Sequence, residues 1–174
     1  MLRRLVPILA PAALFSDNFN RADGALASPW TVVSGSFAIV SGRLKSTVGG
    51  GAVVSVRPNC SIEANVTYGS DFVYLSARRV DASNRVIVQL GTSAIILAKR
   101  VNGVTTDVQT AVVTYVPGQK LKCICSGVYF SVFYNHVQVI SPQAISDAVL
   151  QTSSNVGVVG DTNSYFDNFA VRRV

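Results

Sequence analysis

The chain has a single glutamate, a single histidine, a single tryptophan and a single methionine in 174 residues, and charged side chains of either sign make up only 14% of it. Each shortage excludes something. Glycoside hydrolysis needs two carboxylates about 5 to 9 Å apart, but Glu63 has no second glutamate on its strand, and Asp71 and Asp81 lie beyond turn signals. A nucleophilic triad would have only His136 to draw on as its imidazole base, and Asn135-His136 reads as a turn between Phe133-Tyr134 and Val137. Three cysteines, Cys60, Cys123 and Cys125, form no even disulfide framework and point to a reducing origin. No run of basic residues reaches five and no basic-aromatic alternation occurs, which leaves nucleic-acid binding without support. The expectation is a protein that is not an enzyme, has no membrane span and binds no nucleic acid.

What the chain has in quantity is apolar side chains, 49% of the total, with a net charge of +6 from eleven Arg and four Lys against eight Asp and Glu63. A chain of this size buries roughly 70% of its unfolded surface in one core. So few charges leave part of the exterior apolar, which implies a homo-oligomer or another partner.

The apolar residues recur in period two. Ser61 to Tyr68 places Ile62, Ala64, Val66 and Tyr68 on one side and polar residues on the other, the pattern of a half-buried antiparallel strand. Further strands are expected at Phe37 to Val40, Ala52 to Arg57, Phe72 to Arg79, Arg85 to Leu90, Ala94 to Val101 and Val104 to Val116. The second half adds Lys120 to Ser126, Tyr129 to Asn135, Val137 to Ile140, Val156 to Val159 and Tyr165 to Val171. In Lys120 to Cys125 both sulfurs share a side with Leu121, as small core hydrophobes do. A zinc site there would need two further soft ligands, and only Cys60 and His136 remain.

Asn102-Gly103 and Asn135-His136 both read as two-residue hairpin turns, whose central residues take positive φ. Gly49-Gly50-Gly51 matches no phosphate-binding spacing and reads as a flexible loop or bulge ahead of Ala52. A short helical turn fits Ala144 to Leu150, and no internal repeat is visible. About a dozen short strands with frequent turns predict an all-β, two-sheet sandwich.

Ahead of it, Met1 to Phe15 carries two arginines and then eleven apolar residues interrupted by Pro7 and Pro11. That run is shorter than the ~20 residues of a spanning helix, and the prolines disfavour a helix. The chain is therefore divided into an extended hydrophobic arm over residues 1–14 and a β-sandwich domain over residues 15–174. Thirteen extended residues reach ~45 Å. Leu2, Arg3, Arg4, Leu5, Val6, Ile8 and Leu9 are the expected partner contacts, the alternatives being that the arm covers its own domain or is a removed secretion leader.

Asp17-Asn18-Phe19-Asn20-Arg21-Ala22-Asp23-Gly24 with Trp30 to Phe37, and the closing Phe166-Asp167-Asn168-Phe169-Ala170-Val171, resemble the first and last strands of concanavalin-A-like, laminin-G-like jelly rolls. The resemblance covers roughly Phe15 to Val174 and extends to accessory virion proteins of tailed bacteriophages. It implies a jelly-roll β-sandwich with its first and last strands in one sheet. It also implies a structural calcium at Asp17 and Asp167, where those strands meet; the alternative is that both acids hydrogen-bond turn amides. The function expected from it is a non-enzymatic structural or decorating component of a bacteriophage virion, held to the capsid shell or another virion protein by the arm. The alternative is a lectin-like carbohydrate-binding module for cell-surface glycans, virion-borne or secreted.

Overall fold

A computed structural model describes residues 12–174. The expected arm contacts, Leu2, Arg3, Arg4, Leu5, Val6, Ile8 and Leu9, lie outside the described residues.

The fold is an all-β antiparallel sandwich, as the alternation predicts, and a jelly roll, as the resemblance implies. In chain order it runs β1 (Ala13–Asp17), β2 (Gly24–Ala25), β3 (Thr31–Val40), β4 (Arg43–Ser55), β5 (Cys60–Thr67), β6 (Val73–Ala77) and β7 (Arg85–Leu90). There follow β8 (Ala94–Val101), β9 (Val104–Val112), β10 (Gln119–Ser126), β11 (Tyr129–Tyr134), β12 (Val137–Ala144), the helical turn α1 (Ala148–Gln151), β13 (Asn155–Gly160) and β14 (Tyr165–Arg172).

One layer is ordered β12-β11-β10-β5-β14, with β1 beside β14. The other is ordered β9-β8-β7-β6-β13-β4, with β3 beside β4. Between them lies the core, where Ile62, Ala64 and Val66 of β5 and Leu121, Cys123 and Cys125 of β10 meet Val73 and Leu75 of β6 and Val86 and Val88 of β7. The three cysteines are packed inside, Cys123 Sγ 3.8 Å from Cys125 Sγ, and their mutual contacts, reinforced by burial, raise the Cys60 and Cys125 thiols far above the ordinary range.

The chain ends pair antiparallel, Asp17 opposite Phe169 and Ala13 opposite Arg172, so the first strand begins two residues inside the expected arm. The hairpins at Asn102-Gly103 and Asn135-His136 have φ values of 51° and 82°, and of 46° and 66°, as their turn type requires.

Several strand bounds differ from expectation: β3 starts at Thr31 rather than Phe37, β6 spans Val73–Ala77 rather than Phe72 to Arg79, and β12 runs on to Ala144 rather than Ile140. Three further differences have a physical reason. The glycine run is no loop: β4 passes straight through Gly49, Gly50 and Gly51. Leu44 at its start pairs with Phe166 of β14 in one layer and Val54 at its end with Val156 of β13 in the other, so β4 belongs to both. The crossing is where β3 loses register against β4, and a Cβ on Gly50 would stand 2.1 Å from Ser34 O. The bulge half of the expectation therefore holds, and glycine is required because two backbones touch. Second, β9 ends at Val112 rather than Val116, since its partner β8 begins at Ala94, opposite Val112, and beyond it Val113 N donates to Ser93 O, in the chain before β8. Third, the helical turn shrinks to Ala148–Gln151, its first expected residue, Ala144, being the end of β12.

Candidate functional site

The outward face of the layer carrying β6 and β7 is unusual. Val53, Ile87, Ala98 and Val159 expose 8% or less, although none belongs to the core between the layers. Strand register sets Ala98, Ile87, Ser76, Gly157 and Val53 side by side across β8, β7, β6, β13 and β4. Such a row on an outer face loses contact with water only where its flanks rise around it. Gly157 keeps the row low, because a Cβ there would lie 2.0 Å from Ala52 O.

One step along the strands, this face opens into a cleft of about 450 Å³. Since Val73, Leu75 and Ala77 turn inward, Phe72 and Tyr74 must turn outward, and their rings stack with centroids 5.8 Å apart and planes 15° apart. Arg85 of β7 donates from Nη2 to Tyr74 Oη at 3.2 Å and holds its guanidinium 5.6 Å from the Tyr74 ring centre. Arg79, 6% exposed, lines the same cleft, and burial followed by the adjacent Arg85 charge lowers its pKa. Aromatic faces with a few convergent polar groups are the composition of a small-molecule site.

Asp161 positions the aromatic end. Its carboxylate accepts backbone N–H bonds from Gly69 at 3.1 Å, Ser70 at 2.9 Å and Phe72 at 3.3 Å, another from Asp71, and the hydroxyls of Ser70 and Ser164. Burial would raise this carboxyl, but the hydroxyl and amide donors outweigh it and drive it far below the carboxylate range. The loop Gly69–Phe72 is thus wrapped on one anion, which fixes where Phe72 enters the cleft.

A second cleft, of about 730 Å³, lies on the outer face of the other layer and is lined by Asp17, Glu63, Lys120, His136 and Arg172 among others. Its charges are paired: Lys120 Nζ is 3.1 Å and Arg172 Nε 3.7 Å from Glu63 Oε1, and Arg21 Nη1 is 2.7 Å from Asp17 Oδ1. His136 is an exposed turn residue at its rim.

The two acids expected to hold calcium do not fit that role. Asp17 accepts four hydrogen bonds, from Phe19 N at 2.8 Å, Trp30 Nε1 at 2.9 Å and both terminal nitrogens of Arg21. A guanidinium already supplies the positive charge. Burial raises its pKa less than these bonds and the Arg21 charge lower it, so the carboxyl lies below its ordinary value. Asp167 accepts from Asn168 N at 2.7 Å and lines a different, smaller cleft with Arg43 and Tyr165. Both acids thus bind turn amides, and no group of three His, Cys, Asp or Glu able to hold a metal occurs among the described residues.

Trp30, the sole tryptophan, packs against Phe15, Phe19 and Phe169 at 7% exposure and cannot be a ligand platform. Sequence reasoning placed Phe72, Tyr74, Arg79 and Arg85 on expected strands but singled out none of them, nor Asp161, as ligand-binding residues. For Phe72, Tyr74 and Arg85 the signal was the alternation itself, since with Val73, Leu75, Val86 and Val88 assigned to the core the residues beside them face outward; Arg79 shares the parity of Val73, Leu75 and Ala77 and reaches the cleft only past Arg78, whose φ of 44° breaks the alternation. Asp161 left no signal, because its donors come from 90 or so residues away in sequence.

No protein-family model matches the chain, and no curated protein matches it in sequence. Solved structures do match in fold. The carbohydrate binding module CBM66 from Bacillus subtilis superposes with a TM-score of 0.68 at 16% identity, covering 82% of this chain and 94% of that one. A protein of unknown function with a galectin-like fold, also from Bacillus subtilis, gives 0.68 at 10% identity over 93% and 96%. The catalytic domain of an endo-1,3-beta-glucanase (laminarinase) from Thermotoga petrophila gives 0.63 at 9% identity over 93% and 97%. At these identities the likeness is one of fold: a galectin-like, concanavalin-A-like jelly roll.

Proposed function

We propose that the protein is a non-enzymatic carbohydrate-binding module whose saccharide lies in the cleft over β6 and β7, against Phe72 and Tyr74. The carrying observation is the outward-facing stacked ring pair beside Arg79 and Arg85, on a sheet face already withdrawn from solvent. A pyranose offers an apolar C–H face to such rings and hydroxyls to the guanidinium donors around them. The binding module and the galectin-like protein of similar fold favour this reading over the virion decoration role expected from sequence, which rests on arm residues outside the described region. The non-enzymatic part is supported by Glu63 and Asp17, each ion-paired and so ill suited to deliver a proton.

A glycan array followed by calorimetric titration tests the proposal. Tyr74→Ala and Phe72→Ala are each expected to weaken the best-binding glycan about tenfold or more, with unchanged melting temperature. Undiminished binding by the double variant places the site elsewhere and rejects the proposal.

A further inference from the structure

We propose that the saccharide taken by this cleft is anionic, and that its carboxylate or sulfate docks between Arg79 and Arg85. The inference rests on the carbohydrate-binding reading above and names the ligand's chemical class.

It follows from a contrast with the protein's paired and buried cations, the remaining described ones, Arg43, Lys45, Arg57, Arg100, Lys122 and Arg173, being exposed or half-buried. Arg21, Lys99, Lys120 and Arg172 each lie within 4.0 Å of a carboxylate: Asp17, Asp147, Glu63 and again Glu63. Arg78, buried to 1% exposure, has no carboxylate but is enclosed by neutral acceptors, Pro58 O, Asn59 Oδ1, Gln151 Oε1 and Gly127 O, and lies 5.0 Å over the Phe130 ring. Its sequence neighbour Arg79 is almost as buried, at 6%, yet among the described residues its guanidinium makes no hydrogen bond and no ion pair. Arg85 bonds only Tyr74 Oη, and its Nε is buried without a partner. Two guanidinium groups thus line one cleft with donors to spare.

The acids nearby do not answer them. Asp161 shares the cleft, but its oxygens are consumed by the Gly69–Phe72 amides and two hydroxyls. Asp81 attracts Arg79 from outside the cleft, exposed and engaged with Ser83 N and Asn84 Nδ2. Like charges held together in a partly desolvated site, with unmade donors in fork geometry, are complementary to a carboxylate or a sulfate. Because Arg85 is anchored at the hydroxyl rim of Tyr74, a sugar ring seated on Phe72 and Tyr74 carries its acidic substituent toward this pair.

The test uses the whole protein on an array of uronate-, sialate- and sulfate-bearing glycans beside their neutral cores. Acidic glycans are expected to bind about tenfold or more tightly than the matching core, and the arm that responds distinguishes carboxylate from sulfate. Titration of the strongest acidic glycan should then show Arg85→Met and Arg79→Met reduced to the affinity of its core, and 0.5 M salt should erase the same difference. If Arg79→Met fails to fold, Arg85→Met and the salt series decide. Equal binding of acidic and neutral glycans overturns this inference and leaves the binding module standing. Binding to no glycan at all overturns both.

Discussion

The two clefts stand on opposite outer faces of one sandwich, and the smaller one is the more informative. In the larger, about 730 Å³, Glu63, Lys120, Arg172 and Asp17 neutralise one another or a neighbour, so its charge serves the fold. In the smaller, about 450 Å³, stacked rings lie beside two arginines that the chain leaves without a carboxylate within 4.0 Å. Size measures how far the surface is indented. Unmet hydrogen-bonding capacity measures what the surface can still bind, since a buried donor without an acceptor costs free energy that a ligand can recover.

The largest expected effect lies at Arg78, the sequence neighbour of the cleft's Arg79. Arg78→Met removes a buried cation and strands four acceptors, and should lower unfolding free energy by about 4 kcal/mol in urea titration. A loss of under about 1 kcal/mol would show that burial alone, without the acceptor shell, is tolerated, and would blur the distinction between Arg78 and Arg79. Asp161→Asn follows, with about 2 kcal/mol lost at neutral pH as its amide donors lose a charged acceptor. The sign with pH is fixed by the depressed carboxyl of the folded state. Its stabilisation is complete above the ordinary carboxylate value of about 4 and drains away as pH falls below it. The variant should therefore lack that part of the acid slope, and a parallel slope in both proteins would remove Asp161 from the account.

Smaller effects separate the two clefts directly. Glu63→Gln should cost about 1 kcal/mol, because Lys120 and Arg172 remain partly hydrated, and should leave glycan affinity untouched. Arg79→Met should do the reverse, abolishing acid selectivity while stability stays level or rises by up to about 1 kcal/mol on loss of an unpaired buried charge. Thermal melts and titrations on the same two samples would read both outcomes, and a glycan affinity that follows Glu63 would exchange the roles of the faces.

Much of this architecture was legible from alternation. Arg85–Leu90 and Ala94–Val101 form strands over the expected bounds, and the Asn102-Gly103 and Asn135-His136 turns take the positive φ their residue types allow. The first half of β3 and the glycine-bearing part of β4 were hidden, because Thr31 to Ser36 face solvent and glycines give alternation nothing to register. Of the proposed ligand face, Phe72, Tyr74 and Arg85 were legible by subtraction, as the positions left over once Val73, Leu75, Val86 and Val88 are given to the core, whereas Arg79 was hidden by the positive φ of Arg78 before it. The pairing of Asp17 with Arg21 and Trp30, rather than with a metal, depends on side chains meeting across a turn and across 13 residues, which no strand pattern encodes.

Because β4 is hydrogen-bonded to β14 at its start and to β13 at its end, the sandwich has a seam rather than two free plates. Sliding one layer over the other would have to disrupt the pairing of β4 with β13 or with β14. The aromatic cleft is bordered by Gly49 and Gly50 of that crossing, so one wall of it is built from the strand that ties the layers together.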